Sequence, residues 1–117
     1  IAYNTQLSSR LANSPEVLIV DFYKFFEDSV NNPAALGFTN VKDTACPATG
    51  LGSDGLPTYD FATCTEANLA AKPPAGATGG ADWYKTWLFS DGFHPTPYAH
   101  KVFGDSLIEA IKGRGWL

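Results

Sequence analysis

The chain has 117 residues, 44% of them hydrophobic and 17% charged, with a formal net charge of −4. That length suits one small domain, and the composition is that of an ordinary globular protein rather than a disordered one. The acidic balance offers no basic surface for nucleic acid or anionic lipid, and no apolar run approaches the ~20 residues needed to cross a bilayer.

Tyr3, Leu7 and Leu11 recur four apart among polar residues, which predicts a short amphipathic helix over residues 1–12. Asn13-Ser14-Pro15 should stop it, because proline cannot continue a helix and restricts the residue before it. Val17-Leu18-Ile19-Val20 is a continuous apolar run, the pattern of a parallel strand buried on both faces. Asp21 is placed to cap a helix over residues 22–31, in which Phe22, Phe25, Phe26 and Val30 share one stripe. Helix, strand and helix in that order are a piece of an α/β layer architecture.

Residues 39–85 are rich in Gly, Pro, Thr, Ala and Asp and keep no sustained period. They predict a long loop, with short helical turns near 66–71; loops of that length are usually functional or stapled. Residues 83–89 are aromatic-rich and should lead into a short extended segment ending at Ser90. Thr96-Pro97 then predicts an N-cap followed by proline in the first turn of a helix that runs to about residue 112 and stops at Gly113. On that helix Tyr98, Ala99, Val102, Phe103, Leu107, Ala110 and Ile111 share one face, opposite Lys101, Asp105, Glu109 and Lys112.

One strand cannot close a sheet, so this inventory predicts part of a larger α/β domain. The chain begins at Ile1 and holds no methionine, which also predicts a cleavage product or fragment whose targeting signal lies upstream. Cys46 and Cys64 are the only cysteines. Their Gly- and Pro-rich surroundings favour a disulfide in an oxidising compartment, secreted or at the cell surface or periplasm, over two unrelated free thiols. Neither has a second Cys or His at zinc-ligand spacing, so no metal is expected. No cofactor is expected either.

Asp91-Gly92-Phe93-His94-Pro95 carries the chemistry. A hydrolytic triad needs an imidazole to take a proton from the nucleophile and return it to the leaving group, and a carboxylate to fix its tautomer. Three residues apart on a turn after a strand, Asp91 and His94 can meet at the sheet's carboxyl edge, with Gly92 allowing a tight turn. By spacing alone the signal is weak, since Asp91 could cap a turn beside a surface histidine. The surrounding text is more specific. Residues 84–100, an aromatic stretch, then Asp-x-x-His-Pro-Thr, then a helix carrying His100, resemble the last block of the GDSL (SGNH) hydrolases. Tyr3-Asn4-Thr5-Gln6-Leu7, Val20-Asp21-Phe22-Tyr23 and residues 32–40 resemble the elements that precede that block.

The resemblance implies the C-terminal portion, residues 1–117, of a three-layer α/β/α sandwich around a parallel sheet. It implies a serine ester hydrolase of lipase or esterase type, with His94 and Asp91 as two members of the triad. The nucleophilic serine and the oxyanion hole belong to earlier blocks of the family, absent from this sequence. They would come from an N-terminal segment of the same precursor, and this chain alone would be inactive. A non-catalytic binding or accessory fragment with the same fold and an acyltransferase using the same triad are the alternative readings.

Phe103-Gly104-Asp105-Ser106-Leu107 spells the family's name but falls in a helical pattern, where Ser106 reads as a small packed residue rather than a nucleophile. His100 reads as packed or supporting, and Asp21 as a cap. Trp83, Trp87 and Phe89 read as core, leaving Phe93 as the aromatic expected to face substrate.

Overall fold

The computed structural model describes residues 2–117. Among these residues four helices and four short strands follow in the order α1 (Ala2–Leu11), α2 (Phe22–Asn31), β1 (Asn40–Thr44), β2 (Ala48–Leu51), β3 (Pro57–Tyr59), α3 (Glu66–Ala71), β4 (Trp87–Phe89) and α4 (Pro97–Gly113). Two 3-10 turns, Pro33–Leu36 and Gly80–Thr86, lead into β1 and β4. The arrangement is mixed α/β. The helix expected at the start forms over Ala2–Leu11; its Ile1 lies outside the described residues.

Local chemistry accounts for most boundaries. The Asp21 side chain accepts from the Lys24 amide at 3.0 Å and so caps α2 as its sequence suggested. Thr96 caps α4 in the same way, through the Ala99 amide at 3.1 Å, with Pro97 behind it. The stop of α4 is displaced from the expectation. Gly113 is still helical, and Gly115 takes the left-handed conformation at φ 78°. The Gly115 amide donates to the Lys112 carbonyl and the Trp116 amide to the Ile111 carbonyl, a paired closure that satisfies the last turn.

The parallel strand expected at residues 17–20 is not found, and a parallel pair forms elsewhere. Residues 17–20 form no strand, and Ile19 is exposed. A strand needs lateral N–H and C=O partners, and among the described residues none lines up beside this run. The sheet forms instead from β1, inside the stretch read as loop, and β4, with Asn40 opposite Trp87 and Thr44 opposite Phe89 across an irregular register. The same stretch holds β2 and β3, an antiparallel hairpin whose turn closes through Gly52 N to Leu56 O at 2.8 Å, with Gly55 at φ 77°. Only the short helix at Glu66–Ala71 matches what was expected of it.

Burial concentrates on β4, whose side chains alternate between two clusters. Leu88 packs with Phe38 and Ala99, flanked by Phe26, Val41 and Val102. Trp87 packs with Trp83 and Ala45, flanked by Leu69, and the Trp83 indole N–H donates to the Leu69 carbonyl at 2.7 Å. The Tyr98 hydroxyl donates to the Leu36 carbonyl at 3.0 Å, tying α4 to the turn before β1 across 62 residues of sequence. Gly37 sits at φ 76° against that ring, where only glycine fits without strain.

The molecule as a whole is open. Its radius of gyration is 17.4 Å, against about 13 Å for a compact chain of this length. Its accessible surface is 7996 Å², against about 6200 Å² for a compact monomer of this mass.

Candidate active site

The loop after β4 is built as a closed turn. The Ser90 amide donates to the His94 carbonyl at 2.9 Å, Phe89 bridges Pro95 in antiparallel fashion, and the Thr96 amide returns to the Leu88 carbonyl at 2.9 Å. Thr96 locks the exit, because its buried hydroxyl donates to the Trp87 carbonyl at 2.6 Å while accepting from Ala99.

Asp91 and His94 come together inside this turn. Both carboxylate oxygens of Asp91 lie 3.0 Å from Nδ1 of His94. Oδ1 also accepts from the Phe93 amide at 2.7 Å and the His94 amide at 3.0 Å. An ionised carboxylate can only accept, so a neutral ring held this way carries its proton on Nδ1 and leaves Nε2 as the acceptor. Burial divides the pair sharply: the Asp91 side chain is 5% exposed and the His94 side chain 67%. The carboxylate is locked from behind and the imidazole stands open in front.

Gly92 serves a purpose other than the one read from sequence. It is not among the glycines with positive φ. A Cβ there would come within 2.9 Å of the Tyr59 hydroxyl and 3.2 Å of Pro57 Cγ, so glycine lets the hairpin close onto the turn. Phe93 is 56% exposed, its ring 6.5 Å from that of His94 and 6.3 Å from that of Tyr59. Sequence reading missed Tyr59 and the hairpin entirely. The signal was Gly52-Ser53-Asp54-Gly55 between two Thr-bearing segments, a turn motif joining short strands.

The disulfide between Cys46 and Cys64 forms as expected, with Cα atoms 5.5 Å apart. It closes the base of the loop that carries the hairpin.

Other singled-out residues lie away from the turn's chemistry. Ser106 is within α4, exposed rather than packed, its hydroxyl turned back to the Phe103 carbonyl at 2.7 Å because the helix offers that acceptor one turn below. His100 is exposed too, not packed, since the buried face of α4 is taken by Ala99 and its neighbours. The Ser90 hydroxyl donates to the Pro95 carbonyl. Among the described residues no hydroxyl is bonded to His94, and no group of three His, Cys, Asp or Glu side chains is gathered as metal ligands.

Two cavities adjoin the Trp87 side of the fold and neither holds the dyad. One, of about 620 Å³, lies between β1, Cys64, Leu69 and the two tryptophans. The other, of about 480 Å³, is walled by Tyr84, Tyr98, Ser90 and Thr96, and so touches the turn from behind. The imidazole faces open surface instead.

A short segment presenting an oriented, exposed histidine invites comparison with known proteins. Over 104 residues the chain is 34% identical to the anther-specific proline-rich protein APG of Arabidopsis thaliana, covering 89% of this chain and 16% of that protein. It is 24% identical over 117 residues to a GDSL esterase/lipase of the same plant, covering 95% of this chain and 25% of the relative. A second Arabidopsis GDSL esterase/lipase is 29% identical over 93 residues, covering 79% and 21%. The likeness supports a GDSL-family relationship. The chain spans a quarter or less of the length of these curated relatives. No family model and no solved structure matches it.

Proposed function

We propose that this chain is the C-terminal part of a secreted GDSL-type serine ester hydrolase, contributing His94 as general base and acid and Asp91 as its orienting partner. The observation that carries the reading is the paired contact of both Asp91 oxygens with Nδ1, on a buried carboxylate held by two backbone amides. A histidine so held keeps one tautomer and one ring orientation, which is what proton transfer at Nε2 requires.

The serine would come from a preceding segment of the same precursor. Its hydroxyl gives a proton to Nε2 as it attacks the ester carbonyl, and Asp91 stabilises the imidazolium that results. His94 returns the proton to the departing alcohol, and the acyl-enzyme is then hydrolysed by water activated at the same nitrogen. Phe93 would contact the substrate beside the ring. The open shape favours this division of labour. An α/β/α sandwich completed by that segment would cover the apolar surface this chain leaves exposed on residues 17–20 and on α2.

The test is His94→Ala in the full-length protein, assayed on a simple neutral ester. We expect kcat to fall by at least ~10³-fold, as for other triad members, with folding intact. An unchanged rate sinks the reading.

A further inference from the structure

We infer that the disulfide-bracketed hairpin is the binding shelf for the alcohol half of a neutral ester with an apolar, preferably aromatic, alcohol. This deepens the proposed function and rests on it. From the His94 ring outward, aromatic side chains follow one another across the surface: Phe93 at 6.5 Å, Tyr59 at 6.3 Å from Phe93, and Phe61 at 6.1 Å from Tyr59, stacked nearly parallel at 20°. Phe61 is 60% exposed and Leu56 beside the hairpin turn half exposed. A row of apolar side chains left in water that begins at the reacting imidazole offers its contact energy to whatever part of the substrate lies along it.

Two observations select the occupant. First, Nδ1 is taken by Asp91, so the reactive nitrogen is Nε2. The atom to which that nitrogen returns a proton is the alcohol oxygen, so the group nearest the ring is the alcohol rather than the acyl chain. Second, the sequence between Lys42 and Lys72 contains no Lys or Arg and carries Asp43, Asp54, Asp60 and Glu66. A phosphate- or carboxylate-bearing alcohol would meet like charge there and no cation. The shelf is held in register at two points, the Cys46–Cys64 bond at its base and the close approach of Tyr59 and Pro57 to Gly92.

Phe61→Ala in the full-length protein tests this, because an exposed side chain can be removed without a cavity. With acetyl esters of increasing alcohol size, the ratio of kcat/KM for benzyl acetate to that for ethyl acetate should fall about tenfold. Phe61→Tyr should restore it. With ethyl esters of increasing acyl length, the corresponding ratio should keep its parental value. A fall confined to the acyl series, or equal falls in both with a loss of thermal stability, overturns the inference, the second because it would show the row covered by another part of the protein. Binding supplies a readout free of turnover: benzyl alcohol should shift the ring NMR signals of Tyr59 and Phe61, and no longer shift those of Tyr59 in Phe61→Ala. Absence of shifts in the parent overturns the shelf whether or not esters are cleaved. Shifts without hydrolysis of any ester support the shelf and overturn the hydrolase reading.

Discussion

The turn at residues 88–96 and the amino-terminal third of the chain stand at opposite extremes. In the turn, Leu88, Asp91 and Thr96 are buried, and among the described residues no buried side-chain nitrogen or oxygen lacks a partner. In the first third, α1 is exposed along nearly its whole length, and residues 17–20 carry a core sequence without a core around them. Phe22 reaches the Phe103 ring at 4.2 Å yet remains half exposed. Local order in this chain therefore does not track hydrophobicity. It tracks whether the partners of a segment lie within the same stretch of sequence.

The largest expected effect separates chemistry from architecture in the turn. Asp91→Asn keeps an oxygen for the Phe93 and His94 amides but turns a donor toward Nδ1, forcing the wrong tautomer. We expect kcat on a neutral ester to fall ~10³–10⁴-fold in the full-length protein while the thermal midpoint stays close to the parent's. No carbonyl bonds the ring among the described residues, so nothing replaces the carboxylate; a loss under tenfold would show that orientation comes from elsewhere. Next comes the Cys46→Ser, Cys64→Ser pair, which should lower unfolding stability by about 3 kcal/mol in urea titrations, with the loss centred on the hairpin rather than on α1 or α2.

Thr96→Val follows. It removes the cap of α4 and leaves the Trp87 carbonyl without its donor, for about 2 kcal/mol in the same titrations. Ile19→Ser sharpens the comparison from the other side. If the first third is covered in the full-length protein, the change costs about 1.5 kcal/mol; a neutral result would mean that residues 17–20 stay in water there as well. The smallest effect is electrostatic. Asp28, Asp82 and Asp105 raise the ammonium groups of Lys24, Lys85 and Lys101 above 10.5 through side-chain hydrogen bonds and charge. Because the folded values are raised, the contribution is full below 10.5 and disappears as pH climbs through them. All three lysines are exposed, so changing them to Met should only slightly flatten the alkaline decline in stability.

Caps and periodic helices were legible in the sequence because their causes are local: Asp21, Thr96-Pro97 and the apolar stripe of α4 each act within a turn or two. So was the Asp91–His94 contact, three residues apart and shaped by one turn. Of the strands only β4 was, as the extended segment before Ser90. Residues 17–20 look more like a strand than Asn40–Thr44 does, but pairing is a property of two segments, and β1 finds β4 some 47 residues away through contacts such as that between Thr39 and Thr86. The hairpin was hidden by its composition, rich in glycine and threonine and poor in alternation, and became visible only as the neighbour that explains Gly92.

One carboxylate accepts two main-chain amides and one imidazole, and this fuses structural and chemical duty at position 91 while leaving position 94 unburdened. The ring supports nothing beneath it. A lineage or a designer wishing to silence this protein and keep its shape would therefore change the histidine, whereas removing the aspartate's oxygens would silence it and loosen the scaffold in the same stroke.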